Sequence, residues 1–460
     1  MRVPLSKHWD GAVRSSVEVA VTAMERRSCI KQLSLKFNLQ KEEILNKTKP
    51  FIISKNLVMK AYQLVKENDG AAGVDQQSLS DFDKNLQDNL YRLWNRLSSG
   101  TYFPPSVMAV AIPKKSGGER ILGIPTVSDR IAQMVVKLMF EPEVEPHFHP
   151  DSYGYRPNKS ALDAVGVTRQ RCWKYDWIVE FDIKGLFDNI DHSLLMKAVR
   201  KHTNNKLIIL YVERWLKAPM QMPDGTCVAR TKGTPQGGVI SPVLSNLFLH
   251  YVFDVWMSKH HPKKLWCRYA DDAVVHCKTE EDAKHLLADL KARFESCHLE
   301  LHSEKTKIVY CQDVNRKKSH PNTMFTFLGY EFRRRPVRAK ETNNLFMGFT
   351  PAVSKEAQKA MRAKIREAKL SSKTEISLEE IASRFNPILR GWLEYYGKYT
   401  PSALYPVLRH FNLTLVRWAG RKYKRLRGGK TRASILLQTI MKQKPNLFAH
   451  WKLGMTGAFA

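Results

Sequence analysis

Apolar positions recur along the chain with two periods, and the changeovers between them divide it into regions. Residues 12–65 space their apolar side chains three and four apart among charges, as a helix does. The same spacing returns from Leu79 to Leu97, after the turn-rich Gly70-Ala-Ala-Gly73-Val-Asp75. Met108-Ala-Val-Ala-Ile-Pro113 and Arg120-Ile-Leu-Gly-Ile-Pro125 predict two short strands joined by a basic, Gly-rich turn, with a helix following from about Asp129 to Phe140. In the middle third, Trp177-Ile-Val-Glu-Phe-Asp-Ile183 is a near-continuous apolar run that ends in a carboxylate, as a buried strand would. Leu265 to Cys277 reads as strand, tight turn, strand, and Glu280 to Leu299 as an amphipathic helix. Asp191 is suited to cap the helix that follows it. The last third is helical. Thr350-Pro351 predicts an N-cap with Pro at the first helical position, and the helix then runs to Leu370. Ser377-Leu-Glu-Glu380 predicts a capping box on a helix ending near Gly397. An α+β catalytic unit followed by a basic helical unit is the fold these patterns predict.

At 460 residues the chain has room for two to three domains with real cores. Its 10 Trp, 20 Phe and 16 Tyr exclude wholesale disorder. No stretch approaches the ~18 consecutive apolar residues of a membrane span. The start lacks a basic segment followed by an apolar run, so a secretory signal is not expected. The seven cysteines include no C-x-x-C, which argues against a zinc ribbon or redox pair. They read as reduced, small, buried hydrophobes in a cytosolic protein.

Charge changes the picture. The net charge is +31, and residues 314–460 carry +22 of it with no Asp at all, leaving +9 for residues 1–313. Basic residues interleaved with aromatics favour nucleic acid over membrane as the polyanionic partner. Residues 421–432 are the densest basic run: Arg421, Lys422, Lys424, Arg425, Arg427, Lys430 and Arg432.

The sharpest chemical signal is acidic. Tyr269-Ala-Asp271-Asp272 sets two carboxylates at the tip of an apolar hairpin, and Asp182 ends a second apolar strand in the same manner. Three carboxylates on strand ends of one sheet suit a pair of Mg²⁺ ions, which take a few protein oxygens and leave positions for substrate phosphates. Two such ions ~3.5–4 Å apart can activate an attacking hydroxyl and neutralise a leaving pyrophosphate.

Phe181-Asp-Ile-Lys-Gly-Leu-Phe187-Asp-Asn-Ile, Gly233-Thr-Pro-Gln-Gly-Gly-Val-Ile-Ser-Pro242 and Tyr269-Ala-Asp-Asp resemble three successive motifs of reverse transcriptases. Their order and spacing are similar to the intron-encoded reverse transcriptase/maturases of group II introns. Ile112-Pro-Lys through Pro125 and Ser152-Tyr-Gly-Tyr-Arg-Pro157 precede these motifs; Phe327-Leu-Gly-Tyr330 and Arg390-Gly-Trp-Leu-Glu-Tyr-Tyr-Gly-Lys-Tyr399 follow them. The resemblance covers roughly residues 50–435.

The resemblance implies a right-hand polymerase: an N-terminal extension and fingers over 1–165, a palm with an antiparallel sheet over 166–349, and an α-helical thumb/maturase region over 350–460. Asp182, Asp271 and Asp272 would be the catalytic metal ligands, with Ile183 contributing its carbonyl. The cofactor would be two Mg²⁺ ions, with Mn²⁺ a possible substitute. Lys114, Arg120, Phe187 and Gln236 would form the dNTP site, with the Phe187 ring as a steric gate against a 2′-OH. Lys305 and Tyr269 would face primer and template, and the 421–432 run would contact RNA. The implied partners are group II intron RNA, an RNA template with a DNA primer or target, and dNTPs, but no membrane; the oligomeric state stays open. The implied setting is the bacterial cytoplasm, on the nucleoid when DNA is engaged. Many relatives end in a DNA-binding segment and an endonuclease with paired cysteines. Here no Cys follows Cys311, so the endonuclease is expected to be absent. The motif residues are equally compatible with a host-adopted enzyme of defence or repair. An idle RNA-binding splicing factor is disfavoured by the intact carboxylates and Gln236.

Overall fold

The computed structural model describes residues 49–113, 118–338 and 343–452. The helical pattern read over residues 12–48 and the basic turn holding Lys114 lie outside the described residues. The chain separates into two compact units that are interleaved in sequence. One contains the described residues up to Phe140 together with Thr203–Arg230 and Pro235–Ile240. The other contains Glu141–His202, Thr231–Thr234 and the chain from Ser241 onward.

In the first unit, β1 (Val107–Pro113) pairs antiparallel with β2 (Glu119–Ile124) from Met108↔Ile124 to Pro113↔Glu119. The short β4 (Met220–Gln221) joins the other edge of β1 in parallel, and β5 (Cys227–Val228) completes the sheet order β2-β1-β4-β5. The 79–97 pattern resolves into two helices, Leu79–Lys84 and Leu86–Ser98. Asn85 departs from helical geometry between them, and Ser78 supplies a capping box to the first. The core is pinned by Asp129, which accepts from Tyr102 Oη at 2.9 Å, Trp215 Nε1 at 2.8 Å and Gln133 Nε2 at 2.9 Å. A buried carboxylate is tolerable only with such partners; burial nonetheless raises its pKa.

The second unit is built on the sheet β6-β7-β3-β8: β3 (Trp177–Asp182), β6 (Trp266–Tyr269), β7 (Asp272–Cys277) and β8 (Lys307–Tyr310), all antiparallel. A second sheet, β11-β10-β9, holds β9 (Met324–Phe327), β10 (Tyr330–Arg338) and β11 (Leu345–Val353). Ile178, Cys267, Val274 and Val309 from the first sheet and Phe325, Phe332 and Phe349 from the second share one core. The helices Lys355–Glu367, Leu378–Tyr396, Tyr405–Lys422 and Lys430–Gln443 form a separate core around Ile365, Leu389, Phe411, Leu415 and Trp418. The Ser377 capping box with Glu380 and the end of that helix at Gly397 stand as the sequence predicts.

Two expectations need correction. Thr350 and Pro351 lie inside β11, opposite Arg333 and Phe332; the helix begins at Lys355, capped by Ser354 Oγ accepting from the Ala357 N–H. Thr350 and Pro351 sit within the buried run 348–353 of β11, so burial outweighed the Thr-Pro capping signal. Among the cysteines, Cys227 is exposed on β5, whereas Cys172, Cys267, Cys277, Cys297 and Cys311 are buried and free.

Candidate active site

β3 is buried up to Phe181 and first reaches solvent at Asp182. Its register with β7 sets Asp182 directly opposite Asp272, while Asp271 shares with Ala270 the two-residue turn between β6 and β7. Three carboxylates converge because two neighbouring strands reach the same rung at the same end of the sheet. Glu180, two residues before Asp182, projects from the same face. It is buried, its pKa is raised by that burial, and Lys307 lies 3.2 Å from it.

A cation answers this charge. The segment after Leu299 runs beside the end of β3: Lys184 N–H donates to Glu300 O at 2.9 Å, Ile183 bridges Leu301, and His302 N–H donates to Asp182 O at 2.8 Å. Lys305 is thereby delivered with Nζ 2.5 Å from Asp182 Oδ2. Its pKa is raised, first by that hydrogen bond and then, against burial, by the charges of Asp182, Asp271 and Asp272. Burial, followed by the carboxylates of Glu180, Asp271 and Asp182, pushes Asp272 well above the ordinary carboxylate range; the Leu328 N–H donates to it and opposes the shift.

The turn itself is held by a buried polar network. Ala270 adopts φ +55°, an uncommon conformation for a residue with a Cβ. Arg268, 1 % exposed, donates Nε and Nη2 to the two carboxylate oxygens of Asp254 at 2.8 and 2.7 Å. Its Nη1 reaches Ala270 O and Asn246 Oδ1, each at 3.2 Å, and Nη2 reaches Ser152 Oγ at 2.8 Å. Burial alone would raise the Asp254 carboxyl, but the Arg268 guanidinium and the His250 imidazole together outweigh it and the pKa is lowered. Tyr153 N–H donates to Arg268 O, Arg268 N–H to Asp151 O, and Asn246 Nδ2 to Gly154 O. A Cβ at Gly154 would stand 2.4 Å from the Ala270 backbone nitrogen. The Ser152–Pro157 block is thus the cradle of the acidic turn. Arg268, Asp254 and Asn246 were all missed by motif reading, and Gly154 was read only as part of the Ser152–Pro157 block, without a role. The available signal was an arginine between Cys267 and Tyr269 in an apolar strand, which has to be buried and therefore paired.

The remaining residues fall in several places. Phe187 lies buried on the short helix Leu186–Asn189, its carbonyl accepting from Thr234 N–H at 2.7 Å. Tyr269 is half-buried, its ring 6.5 Å from that of Tyr155. Arg120 and Gln236 belong to the first unit, where Arg120 Nε donates to Gln236 Oε1 and Gly123 N–H to Gln236 O at 2.8 Å. In the basic run, Lys422 Nζ donates to the carbonyls of Thr374 and Ile376 at 2.8 and 2.9 Å, and Arg421 reaches Ser371 O at 3.3 Å. Lys424, Arg425, Arg427, Lys430 and Arg432 are exposed around the buried anchor Leu426.

Among the described residues no three His, Cys, Asp or Glu side chains are clustered tightly enough to hold an ion by themselves. The oxygens of Asp182 and Asp271 suit Mg²⁺ that shares its shell with substrate phosphates rather than sitting in an all-protein cage. The Lys305 ammonium on Asp182 marks where positive charge is stabilised.

Residues 112–332 match the family described as reverse transcriptase (RNA-dependent DNA polymerase), and residues 358–435 match the group II intron, maturase-specific domain. The chain belongs to the group II intron-encoded reverse transcriptase/maturases. It is 32 % identical over 311 residues to Protein YkfC of Escherichia coli (strain K12), covering 58 % of this chain and 77 % of that protein. It is 26 % identical over 439 residues to the group II intron-encoded protein LtrA of Lactococcus lactis subsp. cremoris, covering 77 % and 71 %. It is also 26 % identical over 357 residues to the putative COX1/OXI3 intron 1 protein of Saccharomyces cerevisiae, covering 66 % and 42 %. Among the described residues no helix is long and apolar enough to cross a membrane.

Proposed function

We propose that the protein copies an RNA template by extending a DNA primer at Asp182, Asp271 and Asp272, and that it binds group II intron RNA to promote splicing and retromobility. The observation that carries the catalytic reading is the rung shared by Asp182 and Asp272, with Asp271 in the adjoining turn. In this reading the architecture is a right hand, with 1–165 as N-terminal extension and fingers, 166–349 as palm and 350–460 as thumb/maturase. Asp182, Asp271 and Asp272, with the Ile183 carbonyl, would hold two Mg²⁺ ions, or Mn²⁺ in their place. When bound, the ions supply Lewis acidity at the reacting phosphate. Lys305 balances the acids before the ions arrive and is placed to meet the primer end afterwards; Tyr269 borders the same site. Phe187 would exclude a ribose 2′-OH by bulk, and Arg120, Gln236 and Lys114 would hold the triphosphate.

The names of the relatives, LtrA and the COX1 intron protein, together with the maturase-domain match, support an intron RNA partner. Lys424, Arg425, Arg427, Lys430 and Arg432 are the exposed cations best placed for its phosphates. The free cysteines accord with a reducing bacterial cytoplasm.

Primer extension tests the reading. With Mg²⁺, an RNA template, a DNA primer and dNTPs, the wild type should extend, and Asp271→Asn with Asp272→Asn should lower the rate by roughly 10³-fold. Unchanged extension would end the catalytic assignment. Phe187→Ala should admit rNTPs; unaltered sugar discrimination would remove Phe187 from the gate.

A further inference from the structure

Beyond Arg333 the third strand β9 has ended, and β10 and β11 continue alone as a two-stranded ribbon to the pair Arg338↔Leu345. Here the protein keeps aromatic surface in water. Phe346 on β11 is 37 % exposed, and Trp173, at the end of the helix Ala161–Cys172, is 43 % exposed. Their rings meet edge-on, 6.4 Å apart at 72°. Both are fixed in place. Trp173 Nε1 donates to Phe349 O at 2.7 Å, and the Arg169 guanidinium lies 4.3 Å over the indole while donating to Thr350 Oγ1 at 3.1 Å. The Phe346 ring lies against Gly348, where an added Cβ would meet it at 3.1 Å.

The charge around this pair is mostly positive, with Asp176 and Asp313 taken up by Arg316. Residues 314–338 hold seven Lys and Arg against the single acid Glu331. Glu331 is buried and pairs with Arg333 at 2.9 Å and Arg335 at 2.8 Å. Lys174 and Arg338 stand exposed. Arg333 projects from the same face of the ribbon as Phe346, by the alternation of β10 and its register with β11. A second copy of the chain would bring the same positive field and be repelled. A single-stranded nucleic acid brings π-faces for exposed rings and phosphates for the cations beside them. Part of the +22 beyond residue 313 therefore belongs to a sheet and not to the helical region.

We propose that Trp173 and Phe346 form a stacking platform for a single-stranded RNA segment, with its phosphates on Lys174 and Arg333. This is an RNA-binding face separate from the 421–432 run and from the carboxylates. The proposal rests on the RNA-dependent reading of the enzyme, and its test keeps the two apart. The full chain is titrated, at one fixed salt concentration, with a short unstructured RNA carrying a single 4-thiouridine and with a blunt RNA duplex of equal length. Phe346→Ala and Trp173→Ala should each weaken single-strand binding roughly ten-fold, Phe346→Tyr should preserve it, and duplex binding should change little. Lys174→Glu with Arg333→Glu should weaken binding and lower the salt slope. Photo-crosslinks should fall on Trp173 or Phe346. If Trp173→Ala unfolds the protein, Phe346→Ala and the crosslink site still decide. Unchanged affinity in Phe346→Ala, crosslinks confined to residues 421–432, or a self-association that Phe346→Ala abolishes would each overturn the platform. Extension of a pre-annealed RNA–DNA duplex should be the same in Phe346→Ala as in wild type. Absent extension in the wild type defeats the polymerase reading and leaves the binding result standing on its own.

Discussion

Two hairpins in the larger unit close through two-residue turns: Tyr269↔Asp272 around Ala270-Asp271, and Phe327↔Tyr330 around Leu328-Gly329. They are alike in backbone and unlike in what holds them. In the second, both central residues take positive φ (Leu328 +53°, Gly329 +77°), as the twist of a tight hairpin favours. Its tip is gripped by tyrosines. Tyr395 Oη donates to Leu328 O at 2.9 Å, Tyr330 Oη donates to Tyr395 O, and Tyr396 lies against Gly329. In the first, an alanine carries the positive φ, and its grip is a buried ion pair, backbone hydrogen bonds and a bare glycine. Aromatic packing yields by small shifts. A buried guanidinium forking onto a carboxylate holds one geometry or fails. The turn that carries the acids has the less forgiving of the two supports, and the Leu328 N–H that donates to Asp272 joins them.

Substitutions can break this contrast in order of size. Asp254→Ala leaves the Arg268 charge buried without its partner and should cost about 3–5 kcal/mol of stability. Urea denaturation measures it, and a loss below about 1 kcal/mol would mean the ion pair does not organise the turn. Gly154→Ala forces a methyl into backbone and should displace the acidic turn. It should lower primer extension by roughly 10²-fold and stability by about 1–3 kcal/mol. Gly329→Ala meets only the far end of the Tyr396 side chain, at 2.7 Å. It should cost about 1–2 kcal/mol for the left-handed backbone while extension stays close to wild type. Equal losses of extension in the two glycine variants would erase the distinction.

Acid sharpens the same comparison. His276 lies in the β7 arm of the first hairpin, fully buried, and burial holds its pKa down to about 3. The unfolded chain protonates near 6.5, so between those values it binds the extra proton. The stability that comes from keeping His276 neutral is fully present above pH 6.5 and is lost as pH falls below it, at up to about 1.4 kcal/mol per pH unit. His276→Phe should leave thermal unfolding unchanged at pH 7.5 and flatten its decline toward pH 5. An equally steep decline in the variant would assign the acid sensitivity elsewhere.

The two sheet-ending carboxylates were legible because period and chemistry agree there: an apolar strand that stops at an acid has few other uses. The hairpin around Asp271 and the Ser377 capping box were legible for the same reason, being local. Thr350-Pro351 misled because its local signal was overruled by strand pairing with Arg333 and Phe332. The supports of the acidic turn were hidden because Arg268, Asp254 and Asn246 are separated in sequence and meet only in the folded core. The charge partition was legible in amount but not in place, since cations of residues 314–338 sit on a β-ribbon and Lys422 is turned inward onto carbonyls.

The interleaving of the two units bears on how the protein is made. The chain leaves the first unit after Phe140 and re-enters it after His202. It leaves once more after Arg230, returns after Thr234, and departs for good after Ile240. A ribosome adding about 5–20 residues per second therefore needs roughly 5–20 s between releasing the first and last pieces of that unit. For most of this time β1 lacks its neighbour β4, and an edge that will later be paired stays open. An open edge of this kind is a template for wrong pairing during synthesis. No single cut of the gene separates the units: a fragment holding all of either one also carries segments of the other.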